Sequence, residues 1–98
     1  MSFHDIEIEV IRWAEATKQL YAIPKVQVAY TVETVYELRD SIFSLQPAEI
    51  HDAMGRVVID LILLAAILDA DLSKCLEQAF ARVSAKPEKS NVVFLKQE

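Results

Sequence analysis

The sequence is short of the residues that turn a chain. It holds one glycine, Gly55, and three prolines, Pro24, Pro47 and Pro87. Sheets and loop-rich folds need such residues at many corners, so helices joined by short connections are expected. The single cysteine, Cys75, excludes an internal disulfide and suits a reducing, cytoplasmic setting. Basic residues are outnumbered, 10 Lys and Arg against 15 Asp and Glu, giving a net charge of -5 and a pI near 5.0. They are also scattered, which argues against binding of a nucleic-acid polymer, whose phosphates call for clustered cations. The opening MSFHDIEIEV alternates apolar residues with charges, unlike a secretory leader. The longest apolar run, VVIDLILLAAIL at Val57–Leu68, contains Asp60 and falls short of the roughly 20 residues that a membrane span needs. It reads instead as a helix buried around most of its circumference, and no membrane contact is expected.

What is present is a 53% hydrophobic chain of 98 residues, the length of one domain over 1–98. Helical spacing predicts a first helix from about Asp5 to Tyr21, with capping oxygens on Ser2 and Asp5 and an apolar stripe of Ile6, Val10, Trp13 and Leu20. After a connection around Pro24, a second helix is expected from about Val26 to Leu45, its apolar face marked by Val28, Val32, Val35, Ile42 and Phe43. Pro47 suits the first turn of a third helix running to about Leu68. Asp71 offers an N-cap for a fourth, Leu72 to about Val83, with an inner stripe of Leu72, Cys75, Leu76 and Phe80. Ser84–Ser90 reads as a loop, and NVVFLKQE as a short extended tail. One apolar and three amphipathic helices make an all-α four-helix bundle. So short a chain barely covers its most apolar helix, so completion by a homodimer is expected.

Two acidic stripes stand out. Glu33, Glu37 and Asp40 fall at i, i+4 and i+7 on the second helix, and Asp52, Arg56 and Asp60 at i, i+4 and i+8 on the third. Composition alone makes the first a solvated face. Asp60 is different, because its sequence neighbours are Val58, Ile59, Leu61 and Ile62. A carboxylate in such company must be paired, bound to a metal or protonated. The remaining reactive types carry ordinary readings. His4 and His51 lack partners at ligand spacing, Cys75 has no activating neighbour, and Trp13 lies on an apolar stripe. Lys86, Lys89 and Lys96 read as solvent-facing residues of the tail.

QVAYTVETVYEL at Gln27–Leu38, followed by DAMGR at Asp52–Arg56 and its apolar run through an alanine pair, resembles the MazG-like nucleotide pyrophosphohydrolases. WAEA at Trp13–Ala16 and VFLK at Val93–Lys96 extend the resemblance over nearly the whole chain, nearest to the small phage and bacterial members. It implies an all-α bundle in which Glu-x-x-Glu on one helix and Glu-x-x-Asp on the next hold magnesium. Active members use magnesium-activated water to split nucleoside triphosphates into the monophosphate and pyrophosphate. Here the ligand positions fall on Thr34, Glu37, Ala53 and Arg56, so only Glu37 of the four remains.

The resemblance leaves two arrangements open. In the favoured one Arg56 replaces the ion, neutralising Glu37 across the helices and Asp60 along its own helix. The domain is then catalytically silent, needs no cofactor, and acts by binding a partner protein or a nucleotide. In the other, magnesium has moved onto Glu33, Glu37, Asp52 and Asp60, with Glu37 and Asp60 its first candidates, and the family reaction survives. Asp52 and Asp60 lie roughly 12 Å apart along a helix axis, too far for one ion.

Overall fold

The computed structural model describes residues 1–20 and 23–85; the expected tail and its lysines lie outside them. The described residues form four helices, α1 (Phe3–Ala16), α2 (Pro24–Ser44), α3 (Pro47–Ile67) and α4 (Leu72–Ala85), and no strand. The all-helical reading holds, and no described helix is long and apolar enough to cross a membrane.

Local chemistry sets the starts. At α1 the Ser2 hydroxyl accepts from the Asp5 amide at 3.1 Å, while the Asp5 carboxylate accepts from the Ser2 amide at 3.2 Å. This reciprocal pair satisfies two amides that have no partner within the helix. Pro24 and Pro47 open α2 and α3 from the first turn. The Asp71 carboxylate caps α4 by accepting from the Lys74 amide at 3.1 Å.

The ends are unusual because glycine is not there to make them. Lys18, Leu45 and Asp69 take left-handed backbone conformations, with φ of 60, 59 and 55°. At Lys18 the reversal comes early, and α1 stops at Ala16, five residues before the end its apolar spacing predicts. The amides of Lys18 and Gln19 turn back to the carbonyls of Glu15 and Ala14.

Helices α2 and α3 form an antiparallel hairpin across the Leu45–Gln46 connection, and α1 packs on a different side of α3. The α2 seam corrects the sequence reading. Gln27, Thr31, Thr34 and Ser41 are buried there, while Val28, Val32, Val35, Ile42 and Phe43 are exposed. The Thr31 and Ser41 hydroxyls donate to carbonyls of their own helix, Gln27 at 2.9 Å and Leu38 at 2.8 Å, and the Thr34 hydroxyl lies 3.0 Å from the Tyr30 carbonyl. Small side chains with satisfied hydroxyls let α2 lie close along α3, where Ala53 is also buried. The α4 reading is corrected too. Cys75, Leu76 and Phe80 are exposed, because α4 makes no contact comparable with those of the other helices.

Candidate functional site

Because α2 and α3 run antiparallel, residues whose numbers sum to about the same value face one another. Thus Ser44 reaches Glu49, Glu37 reaches Arg56, and Thr34 reaches Asp60. At the middle rung Arg56 Nη1 donates to Glu37 Oε1 at 2.5 Å, and Arg56 Nε donates to Asp52 Oδ2 at 3.0 Å. One guanidinium therefore ties two carboxylates from two helices, using the fixed fork that distinguishes arginine from lysine. The Glu37 hydrogen bond above all, helped by Asp52, raises the Arg56 pKa above its ordinary value against the opposing effect of desolvation. The Arg56 side chain remains 45% exposed, so water screens the pair.

The sequence reading gave Arg56 two partners, Glu37 and Asp60. The guanidinium meets Glu37 but turns back one helical turn to Asp52 instead of forward to Asp60. Asp60 is satisfied from the other helix. Its Oδ2 lies 2.6 Å from the Thr34 hydroxyl, and its backbone carbonyl accepts from Gln27 Nε2 at 3.3 Å. A threonine hydroxyl has one proton. The short contact to an ionised oxygen takes it in preference to the Tyr30 carbonyl at 3.0 Å. Glu33 shares a helix face with Glu37 but not its surroundings, lining a shallow depression with Lys25, Val26 and Tyr30.

Around the Arg56 pair lies an open cleft of about 590 Å³, lined by Glu37, Asp40, Ser41, Glu49, Asp52 and Arg56 among others. Four carboxylates surround a single guanidinium. A second hollow, about 160 Å³, collects Trp13, Gln27, Tyr30, Thr34 and Asp60. Sequence reasoning undervalued Gln27 and Thr34. Their signal was a polar side chain at most inward steps of α2, Leu38 excepted, masked by the stronger apolar stripe beside it. His4 sits 3.5 Å from Glu7 within α1, and His51 is exposed.

Magnesium does not fit these residues. It requires near-octahedral oxygen ligands, whereas Arg56 places a permanent positive charge between Glu37 and Asp52. Among the described residues no three His, Cys, Asp or Glu side chains are grouped to hold a metal ion. No family model matches the chain, and no curated protein or solved structure matches it.

Proposed function

We propose that the chain is a catalytically silent MazG-like domain in which Arg56 stands where active relatives carry metal, and that it works by binding. The observation carrying this reading is the guanidinium bonded to Glu37 and Asp52 across the α2–α3 hairpin. A domain built this way lacks the means to activate water, since a bound metal is what lowers the pKa of that water in a metal-dependent hydrolase. Between the two ligand classes that remain, the cleft favours a protein. A triphosphate would meet four carboxylates and one already paired guanidinium, an environment that repels it unless a cation intervenes. A basic segment of a partner protein meets complementary charge there. The domain acts in the cytoplasm as a homodimer, with a partner protein as its ligand.

Pure protein, assayed with magnesium and the common deoxynucleoside triphosphates, is expected to release no pyrophosphate. Calorimetry with magnesium and a nonhydrolysable triphosphate is expected to show no metal-dependent heat. Magnesium-dependent pyrophosphate release that disappears in Glu37→Ala would establish the rearranged active enzyme instead. Restoring the missing ligands together, with Thr34→Glu, Ala53→Glu and Arg56→Asp, is expected to create a magnesium site detectable by the same calorimetry.

A further inference from the structure

We infer that the smaller hollow, where α1, α2 and α3 meet, is a binding site for a guanidinium group. Trp13 enters it from α1, Gln27, Tyr30 and Thr34 from α2, and Asp60 from α3. Gln27 is 98% buried, and its Nε2 is spent on the Asp60 carbonyl at 3.3 Å and on Thr31 Oγ1 at 3.4 Å. No described residue donates to its Oε1. Among the described residues no fully buried side-chain oxygen or nitrogen lacks a partner, so this oxygen opens into the hollow that Gln27 lines. Turning the amide over gives no escape, because the Asp60 carbonyl accepts only a donor.

Asp60 adds charge. Its Oδ2 lies 2.6 Å from the Thr34 hydroxyl, its Oδ1 accepts from no described residue, and no described Lys, Arg or His pairs with it. Arg56, one turn away on the same helix, is taken by Glu37 and Asp52. A carboxylate partly withdrawn from water calls for a cation, and the fold supplies none. The rings of Trp13 and Tyr30, 51% and 48% exposed, offer the faces over which cations settle. The occupant is therefore a flat cation with donors for two separate acceptors. Guanidinium meets each requirement. An alkylammonium is more strongly hydrated and has no plane to stack, and a quaternary ammonium has no donor for Gln27. Water can fill the space but brings neither charge nor a flat face. The hollow, about 160 Å³, holds about five waters at about 30 Å³ each, which is room for the guanidinium and the start of an alkyl stem.

The fold itself has little use for the Gln27 amide. Thr31 already bonds the Gln27 backbone carbonyl, and the Asp60 carbonyl lies within α3. A leucine fills the same volume, so the exposed oxygen is an asset only to a ligand. The position of the hollow also suits an arginine carried by a protein. Tyr30 and Glu37 fall at i and i+7 on α2, and Asp60, Arg56 and Asp52 share one stripe of α3. Hollow and acidic cleft therefore follow one another along one side of the hairpin. An arginine seated in the hollow sets its peptide neighbours over the carboxylates of the cleft, whereas a free alkylguanidine uses the hollow alone. The assignment rests on the hollow's own groups and stands whether or not the cleft is silent.

Trp13 is the only tryptophan of the chain, so its emission reports on this hollow. With full-length protein at constant ionic strength, ethylguanidinium is expected to change that emission saturably at millimolar concentrations, with the helical circular dichroism unchanged. Free N-acetyltryptophanamide in the same solutions is expected to show no saturation. Gln27→Leu, and Asp60→Asn, which keeps an acceptor for Thr34, are each expected to weaken binding about tenfold or more, the effect of losing a hydrogen bond to a charged group. Should either variant lose its helical signal, ethylammonium tests the same point on the unaltered protein, and it is expected to bind more weakly by a similar factor. A capped lysine-rich peptide with one central arginine then separates the sources. Binding far tighter than that of ethylguanidinium, reduced by Asp52→Asn, assigns the group to a partner protein; equal binding assigns it to a free guanidine. An emission that never saturates, equal binding of ethylammonium, or unchanged binding in folded Gln27→Leu overturns the assignment. So does tighter binding of cytidine, which gives the hollow to a neutral base. Pyrophosphate release is read separately, so failure of the silent-site reading is distinguishable from failure of this one.

Discussion

Thr34 and Asp60 meet across the α2–α3 seam, hydroxyl oxygen to carboxylate oxygen, at 2.6 Å. This contact answers how a carboxylate survives within the most apolar helix of the chain: a neighbouring helix supplies its donor. Burying a charge without such a partner is costly, and hydrogen bonds to charged groups are among the stronger ones. Thr34→Val keeps the shape and deletes the donor. It is expected to lower unfolding free energy by about 1.5–3 kcal/mol in urea titrations at fixed protein concentration. Thr34→Ser is expected to recover most of that, and equal losses in both variants would point to packing instead.

Gln27 is 98% buried, with Nε2 donating to the Asp60 carbonyl at 3.3 Å and to Thr31 Oγ1 at 3.4 Å. Neither acceptor depends on it, since Thr31 bonds the Gln27 backbone carbonyl and the Asp60 carbonyl lies within α3. Volume therefore matters more than polarity at this position. Gln27→Ala, which opens a cavity in the seam, is expected to cost about 2–3 kcal/mol. Gln27→Leu is expected to stay within about 1 kcal/mol of wild type. A cost for leucine as large as that for alanine would show that the amide itself is required.

The Arg56 pair contributes little to the stability of the fold. With both side chains about half exposed, Arg56→Met is expected to change stability by less than about 1 kcal/mol. Its small effect is expected to shrink further in high salt. Because the folded pKa is raised, the arginine's contribution is complete below the unfolded pKa and lost only as pH rises through the folded pKa. Arg56 thus brings no pH dependence at neutrality. A loss of several kcal/mol in Arg56→Met would contradict the exposure of the pair.

Helix starts were the most legible part of the sequence, because they are local. Pro47, the Ser2–Asp5 pair and Asp71 act within one turn of where they stand, whereas Pro24, read as a connection, opens α2 two residues before the expected start. The face that α2 presents to α3 was misread for a reason intrinsic to periodicity. Spacing groups Val28, Val32, Val35 and Ile42 on one face, and it groups Gln27, Thr31, Thr34 and Ser41 on another. It does not say which neighbour covers which. The pairing of Glu37 with Arg56 was expected from the resemblance, which sets both at ligand positions, but the choice of Asp52 over Asp60 was not. It depends on Thr34 having already claimed Asp60 from across the seam.

The distribution of glycine yields the last prediction. The only glycine of the chain, Gly55, sits inside α3, where a Cβ would meet nothing within 4 Å. Leu45, by contrast, ends α2 with φ of 59° and is 79% exposed. A helix interior favours alanine over glycine, because glycine loses more backbone freedom on folding. A left-handed helix end favours glycine, because any other residue sets its Cβ against a carbonyl oxygen. Gly55→Ala and Leu45→Gly are therefore both expected to stabilise the protein, by about 0.5–1 kcal/mol each. The sites lie far enough apart, in different elements, for the gains to add. Thermal unfolding of the double variant at matched concentration reads the sum. A destabilising Gly55→Ala would mean that something approaches that face of α3, because the isolated chain leaves room for the methyl group.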